Sequence, residues 1–190
     1  MTSNGPARSG PRAGTSGARA ICRMRAERGA DRLWAVANQG EVVGLYVATE
    51  AGAPVEARAE VKLVAGNGVD GDRYAVREGR WSQRPGTGRQ LTLIEQEAIE
   101  AALRDYDVEL APGATRRNVV TRGVALNHLV GRPFRIGSVE LLGVRLAEPC
   151  SYLAQLTDAP VIRALVHRGG LRADIVTDGS VRLGDPVTPC

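Results

Sequence analysis

Glycine and proline cut this chain into short pieces, and that limits what it can fold into. Twenty-three glycines and ten prolines are spread over 190 residues. Proline cannot continue a helix interior or a central strand ladder, and glycine marks turns, so long elements have little room. The pattern favours many short strands joined by turns. Aromatics make up only 4% of the chain, so Val, Leu, Ile and Ala have to fill the core. The length suits one domain with residues to spare for a tail.

Alternation picks out the strands. Val42–Ala48 is a short apolar run, and Glu56–Val64 sets Ala57, Ala59, Val61 and Leu63 against Arg58, Glu60 and Lys62, a half-buried strand pattern. Gly66-Asn67-Gly68 forces a turn. Asn118–Thr121, Pro133–Ile136 and Val139–Leu146 read as extended. Arg172–Thr177 and Ser180–Leu183 read as a hairpin about Asp178-Gly179. A helix is predicted over Thr92–Tyr106, with an apolar stripe and a capping box running from Thr92 to Glu95. Leu126–Val130 reads as one helical turn and Pro160–Val166 as a further helix. Together these predict an α+β fold, predominantly β and barrel-like.

Residues 1–40 are rich in Gly, Ser, Pro, Ala and Arg and are expected to be a disordered tail, with the domain over 41–190. The tail explains the basic balance. Residues 1–32 carry seven arginines against Glu27 and Asp31, a net of +5, while the whole chain is +4. The remainder is therefore near neutral, at -1. A near-neutral domain argues against nucleic acid as a partner, because phosphate binding needs a broad basic face. No apolar run reaches the roughly 18 residues of a membrane span, and Met1–Arg32 lacks the continuous apolar stretch expected of a secretory signal.

Three cysteines, Cys22, Cys150 and Cys190, make no disulfide framework and point to a reducing, cytoplasmic setting. They are too few for an iron–sulfur cluster, and two histidines without metal-ligand spacing argue against zinc. Gly66–Gly71 matches a dinucleotide-binding glycine pattern, but no helical period follows it. Asp70-Gly71-Asp72 hints at a calcium loop, yet Tyr74 takes the next ligand position. Ser151 lacks the glycine-flanked elbow of a serine hydrolase. His128 is expected to be structural.

Cys150 is the residue to which most chemistry can attach. It follows Pro149 and the Val139–Leu146 strand, so it sits at an element end where a ligand can reach it. A thiolate is a nucleophile and a soft metal ligand. Arg116-Arg117-Asn118 offers forked guanidinium groups for a phosphate and a carboxamide for a heterocycle. Arg73 and Arg89 lie beside turn glycines, Arg168 and Arg172 bracket a Gly-Gly pair, and His167 precedes them. These are the candidate cofactor-binding residues.

Six segments in order resemble the MOSC domain family, named for the C-terminal domain of molybdenum cofactor sulfurases. They are Gly71–Tyr74, Arg89–Glu95, Arg116–Gly123, Leu126–Gly137, Glu148–Cys150 and Arg168–Ala173 with Gly184-Asp185. The resemblance covers about residues 41–188 and implies a β-rich barrel that binds a molybdenum–pterin cofactor. It implies that Cys150 ligates molybdenum or carries sulfur, and that Arg116 and Asn118 lie near the pterin and its phosphate. Two activities follow from it. One is an oxidoreductase acting on a small N-hydroxylated substrate, fed by an electron-donor protein. The other is a persulfide carrier served by a cysteine desulfurase, which would bring the pyridoxal phosphate that this chain has no site for. A non-catalytic cofactor carrier is the third expectation.

Overall fold

Each strand is too short to bury a core alone, and seven of them solve this by closing on one another. In a computed structural model, which describes residues 39–79, 86–111 and 113–190, β1 (Gly40–Val47) is followed by β2 (Glu56–Ala57), β3 (Glu60–Val64) and β4 (Gly68–Val69). Then come β5 (Leu91–Glu95), helix α1 (Gln96–Tyr106), β6 (Val119–Arg122), a 3-10 turn (Leu126–Leu129), β7 (Pro133–Ile136) and β8 (Val139–Leu146). Helices α2 (Ser151–Thr157) and α3 (Val161–Leu165) precede β9 (Leu171–Ile175), β10 (Gly179–Arg182) and β11 (Pro186–Pro189). The order β11-β7-β8-β9-β5-β6-β1 is closed by pairing of β1 with β11, which makes a barrel. All its pairs are antiparallel except β5 with β6, which are parallel and joined through α1. A small sheet, β10-β3-β4, stands beside it. The expected tail falls almost wholly outside the described residues.

Aliphatic side chains with Phe134 fill the barrel, as the scarcity of aromatics requires. A second apolar layer lies outside its wall. Ile94 and Val120 pack there against Ala98 and Ala102 of α1, Leu153 of α2, and Val161, Ala164 and Leu165 of α3. Strands β5 and β6 are thus covered on both faces, which suits a parallel pair.

Three expectations need correction. The predicted helix over Thr92–Tyr106 is a strand to Glu95 and a helix only from Gln96, and no side chain caps it. Leu91 and Leu93 are fully buried in the barrel and pair with β9 and β6, so ladder bonds take residues that could also sit in a helical stripe. The Glu56–Val64 strand is split, with Ala57 and Ala59 exposed and only Val61 and Leu63 buried. The hairpin about Asp178-Gly179 does not form. Asp178 instead accepts a bond from the Ala65 N–H at 2.7 Å, and β10 pairs with β3 while β9 pairs with β5 and β8. Turns, not a helix, follow Gly71.

Glu95 makes a further use of the strand–helix junction. Its carboxylate accepts the Leu126 N–H at 2.6 Å. Burial holds its pKa above the ordinary 4.5, partly offset by that bond. A carboxyl with a raised folded-state pKa binds its proton more tightly folded than unfolded, so its contribution to stability falls as pH rises from 4.5 through the raised value. Glu95→Gln keeps an acceptor for Leu126 and should flatten that slope in thermal midpoints taken across the acid range. An unchanged slope would place the titration elsewhere.

Candidate functional site

The cleft lies where β9, β5 and the entry to β6 run side by side beneath the loops that follow β1 and β8. Arg172 of β9 is in register with Thr92 of β5. The Thr92 hydroxyl donates to the Asn118 carboxamide oxygen at 2.8 Å and accepts the Asn118 N–H at 3.1 Å. Asp72, Arg73, Tyr74, Arg89, Arg116, Arg117, Cys150 and Tyr152 complete most of the lining. Among the described residues five arginines therefore converge with one carboxylate, Asp72, in a domain whose overall charge is near zero.

Each part of this lining has a local cause. Arg116 adopts the left-handed region, φ 56°, after the turn at Gly113, and its Nη1 donates to the Ala53 carbonyl at 2.7 Å. Its Nε and Nη2 are buried without a hydrogen-bond partner. Burial, then the neighbouring Arg73, pushes its pKa down. Buried donors without acceptors are costly, so these two nitrogens mark a place for an anion.

Arg117, the next residue, also lines the cleft, but the protein's own backbone occupies its guanidinium. It is 8% exposed, and it donates from Nε to the Gly169 carbonyl at 2.9 Å and from Nη2 to the Ala147 carbonyl. Burial lowers its pKa to about 10, Arg172 adds to that, and Cys150 opposes it. Arg117 ties together the two backbone segments that flank Cys150. Gly169 completes the packing, because a Cβ there would lie 2.6 Å from the Ala147 oxygen and 3.0 Å from Pro149 Cδ.

Cys150 itself is exposed and extended, φ -138°, at the start of α2.

The cleft gathers Arg73, Arg89, Arg116, Asn118, Cys150 and Arg172. His167 and Arg168 do not line it. His167 is 82% exposed and holds Glu148 through its backbone N–H at 2.9 Å and Nδ1 at 3.1 Å. Arg168 turns to Asp105 at 3.3 Å and lies over the Tyr106 ring. The helix-end position that suggested His167 directs it to the rim. Asn118 is in the cleft, but its carboxamide is engaged on both sides. The oxygen takes Thr92, and the nitrogen donates to the Tyr46 carbonyl at 3.3 Å and to Asp72 at 3.1 Å. It shapes the floor and has little left for a heterocycle.

Sequence reading missed Asp72, Tyr74, Thr92 and Tyr152, and it offered Arg117 for a phosphate where Arg117 instead binds backbone carbonyls. Asp72 is 4% exposed and accepts the Ala48 and Tyr74 N–H groups as well as Asn118. A buried aspartate amid turn glycines leaves one signal, the Gly71-Asp72-Arg73-Tyr74 segment, which the sequence offers as a failed calcium loop and as a marker of resemblance and not as the floor of a cleft.

Among the described residues a closed β-barrel thus carries an arginine-lined cleft with one exposed free thiol at its edge. The chain belongs to the MOSC domain family, whose model matches residues 74–188. That family is associated with the molybdenum cofactor. Among solved structures the chain is similar to the YuaD protein from Bacillus subtilis, with a TM-score of 0.67 and 19% identity over 80% of this chain and 95% of that one. It is also similar to YiiM from Escherichia coli, at 0.58 and 18% over 80% and 69%, and to YiiM from Geobacillus stearothermophilus, at 0.54 and 15% over 80% and 73%. These likenesses establish the fold. No curated protein matches the chain. Among the described residues no helix is long and apolar enough to cross a membrane.

Proposed function

We propose that this protein binds a molybdenum–pterin cofactor in the arginine cleft and uses it in an oxidoreductase reaction on small N-hydroxylated compounds. The observation that carries the cofactor assignment is the pair of buried, unpartnered nitrogens of Arg116 in the same cleft as an exposed thiol. Among the described residues no three His, Cys, Asp or Glu side chains cluster as a metal site. That donor set suits a metal that arrives with ligands of its own and takes one more, Cys150, from the protein. Arg116 and Arg73 receive the terminal phosphate, Arg117 holds the loop that presents Cys150, and Asp72 and Asn118 fix the floor. When bound, the cofactor supplies a redox-active metal able to accept an oxygen atom from a substrate.

An electron-donor protein would reduce the cofactor, and the cytoplasm is the compartment proposed. An exposed Cys150 also serves a persulfide carrier loaded by a cysteine desulfurase, and the two roles separate on what the thiol carries.

Replacing Arg116 with Ala should weaken binding of the phosphorylated pterin by about 1.5–3 kcal/mol, the scale of a charge-assisted hydrogen bond. The loss should be smaller for a dephosphorylated pterin. Calorimetric titration of both forms checks it, and equal losses would show that Arg116 does not meet the phosphate.

A further inference from the structure

The arginines of the cleft fall into two groups. Arg73 and Arg116 belong to the side of the β1 loop, where the Arg73 N–H donates to the Ala48 carbonyl at 2.9 Å and Arg116 to Ala53. Arg172 stands on β9, two strands from Asn118, which is roughly 10 Å across a sheet. On its other side Arg172 is in register with Arg145 of β8. The ladder slips between Gly143 and Arg145, and such a bulge re-aims the side chain that follows.

Gly88 packs close against Arg172, so that a Cβ there would lie 3.3 Å from the Arg172 Cβ, and Arg89 follows it into the cleft. Like charges facing each other on adjacent strands are destabilising. No carboxylate among the described residues forms an ion pair with Arg145 or Arg172. Burial, then Arg145, disfavours the Arg172 charge, and Tyr74 and Cys150 favour it.

We propose that the β8–β9 end of the cleft is a second anion subsite, in which Arg172, Arg145 and Arg89 receive an oxyanion of the small-molecule substrate beside Cys150. The substrate is then a carboxylate, sulfonate or phosphate compound, not a neutral one. As a statement about substrate this rests on the proposed function; as a statement about anion binding it does not. It also separates Arg89 and Arg172 from the residues that hold the cofactor.

The test compares alkylation of Cys150 by iodoacetate, an anion, with alkylation by neutral iodoacetamide. It uses the full chain at low ionic strength, and the modified peptide is read by mass. The ratio of the two rates cancels the thiol's own reactivity. Relative to a small free thiol it should favour iodoacetate by at least about fivefold, the scale of one unit charge at contact in water. Inorganic sulfate should remove the preference. Arg172→Gln should lower the ratio, and Arg145→Gln, a change at an exposed residue, should lower it in a protein that still folds. Where bound cofactor shields the thiol, sulfate should raise the thermal midpoint of wild type more than that of Arg145→Gln. A wild-type ratio equal to that of the free thiol, or ratios and midpoint rises unchanged by both variants, would overturn the subsite. Molybdenum in such a preparation would leave the cofactor reading standing, so the two fail separately.

Discussion

Replacing Cys150 with Ser is expected to abolish activity while leaving the fold intact. Cys150 is exposed, and no side-chain cap bond from it starts α2. The near-isosteric change therefore removes no packing, and the thermal midpoint should move little. A hydroxyl is a hard, weakly acidic group that neither binds molybdenum well nor holds a persulfide. The variant also tells the two chemistries apart. If Cys150 ligates the metal, bound cofactor shields it from alkylation in wild type, and molybdenum content falls in the variant. If Cys150 carries sulfur, wild type gains the mass of one sulfur after incubation with a desulfurase and cysteine, and cyanide strips it. A serine variant that keeps both cofactor and activity would make Cys150 structural.

The largest effect on stability is expected at Gly170. Its φ of 103° is a conformation that side chains rarely adopt, and a Cβ there would overlap the Leu93 carbonyl oxygen and lie 3.1 Å from the Ile94 Cα. These are backbone atoms of β5, which cannot yield without opening the β5–β9 ladder that starts at the Leu93–Leu171 pair. The Ala147 N–H, bonded to the Gly170 carbonyl at 2.7 Å, would move with it. Gly170→Ala should cost more than about 3 kcal/mol, a fall of roughly 10 °C in the midpoint for a domain of this size. Gly184 is the control. Its φ is also positive, at 82°, but nothing lies within 4 Å of an added Cβ, so Gly184→Ala should cost only about 1 kcal/mol of backbone strain. Equal losses at the two positions would mean that contact with β5 does not set the cost.

What the sequence made legible, and what it did not, follows the range of the interactions. Strands β6, β7 and β8 lie close to where the extended runs predict them, because alternation and flanking turns are local signals. The segment from Leu91 satisfies two periods at once. Leu91 and Leu93 suit a strand, and Ile94, Ala98 and Ala102 suit a helix, and only pairing with β9 and β6 decides the boundary at Glu95. Asp178-Gly179 carries a hairpin signal, yet the Asp178 bond to Ala65 spans 113 residues and no local pattern announces it.

The site shows the same division. The Arg116-Arg117 dipeptide offers a pair of cations, but the left-handed backbone at Arg116, φ 56°, interrupts the chain just before β6 and gives the two side chains different partners. Which of them keeps unpartnered donors and which clamps the Cys150 loop depends on strands far away in sequence. His167 and Arg168 adjoin a Gly-Gly pair, which suggests a ligand loop, but the αL turn at His167, φ 61°, leaves both on the rim.

The arginine cleft with Cys150 is proposed to hold a molybdenum–pterin cofactor. This is tested most directly by measuring molybdenum, sulfur-bound pterin and organic phosphate in wild-type protein and in Arg116→Ala, both purified under reducing conditions from molybdate-supplied cells. Metal and phosphate are expected together in wild type, near one of each per chain, with a parallel loss of both in the variant. Wild-type protein carrying neither, and binding no phosphorylated pterin when it is added, would contradict it.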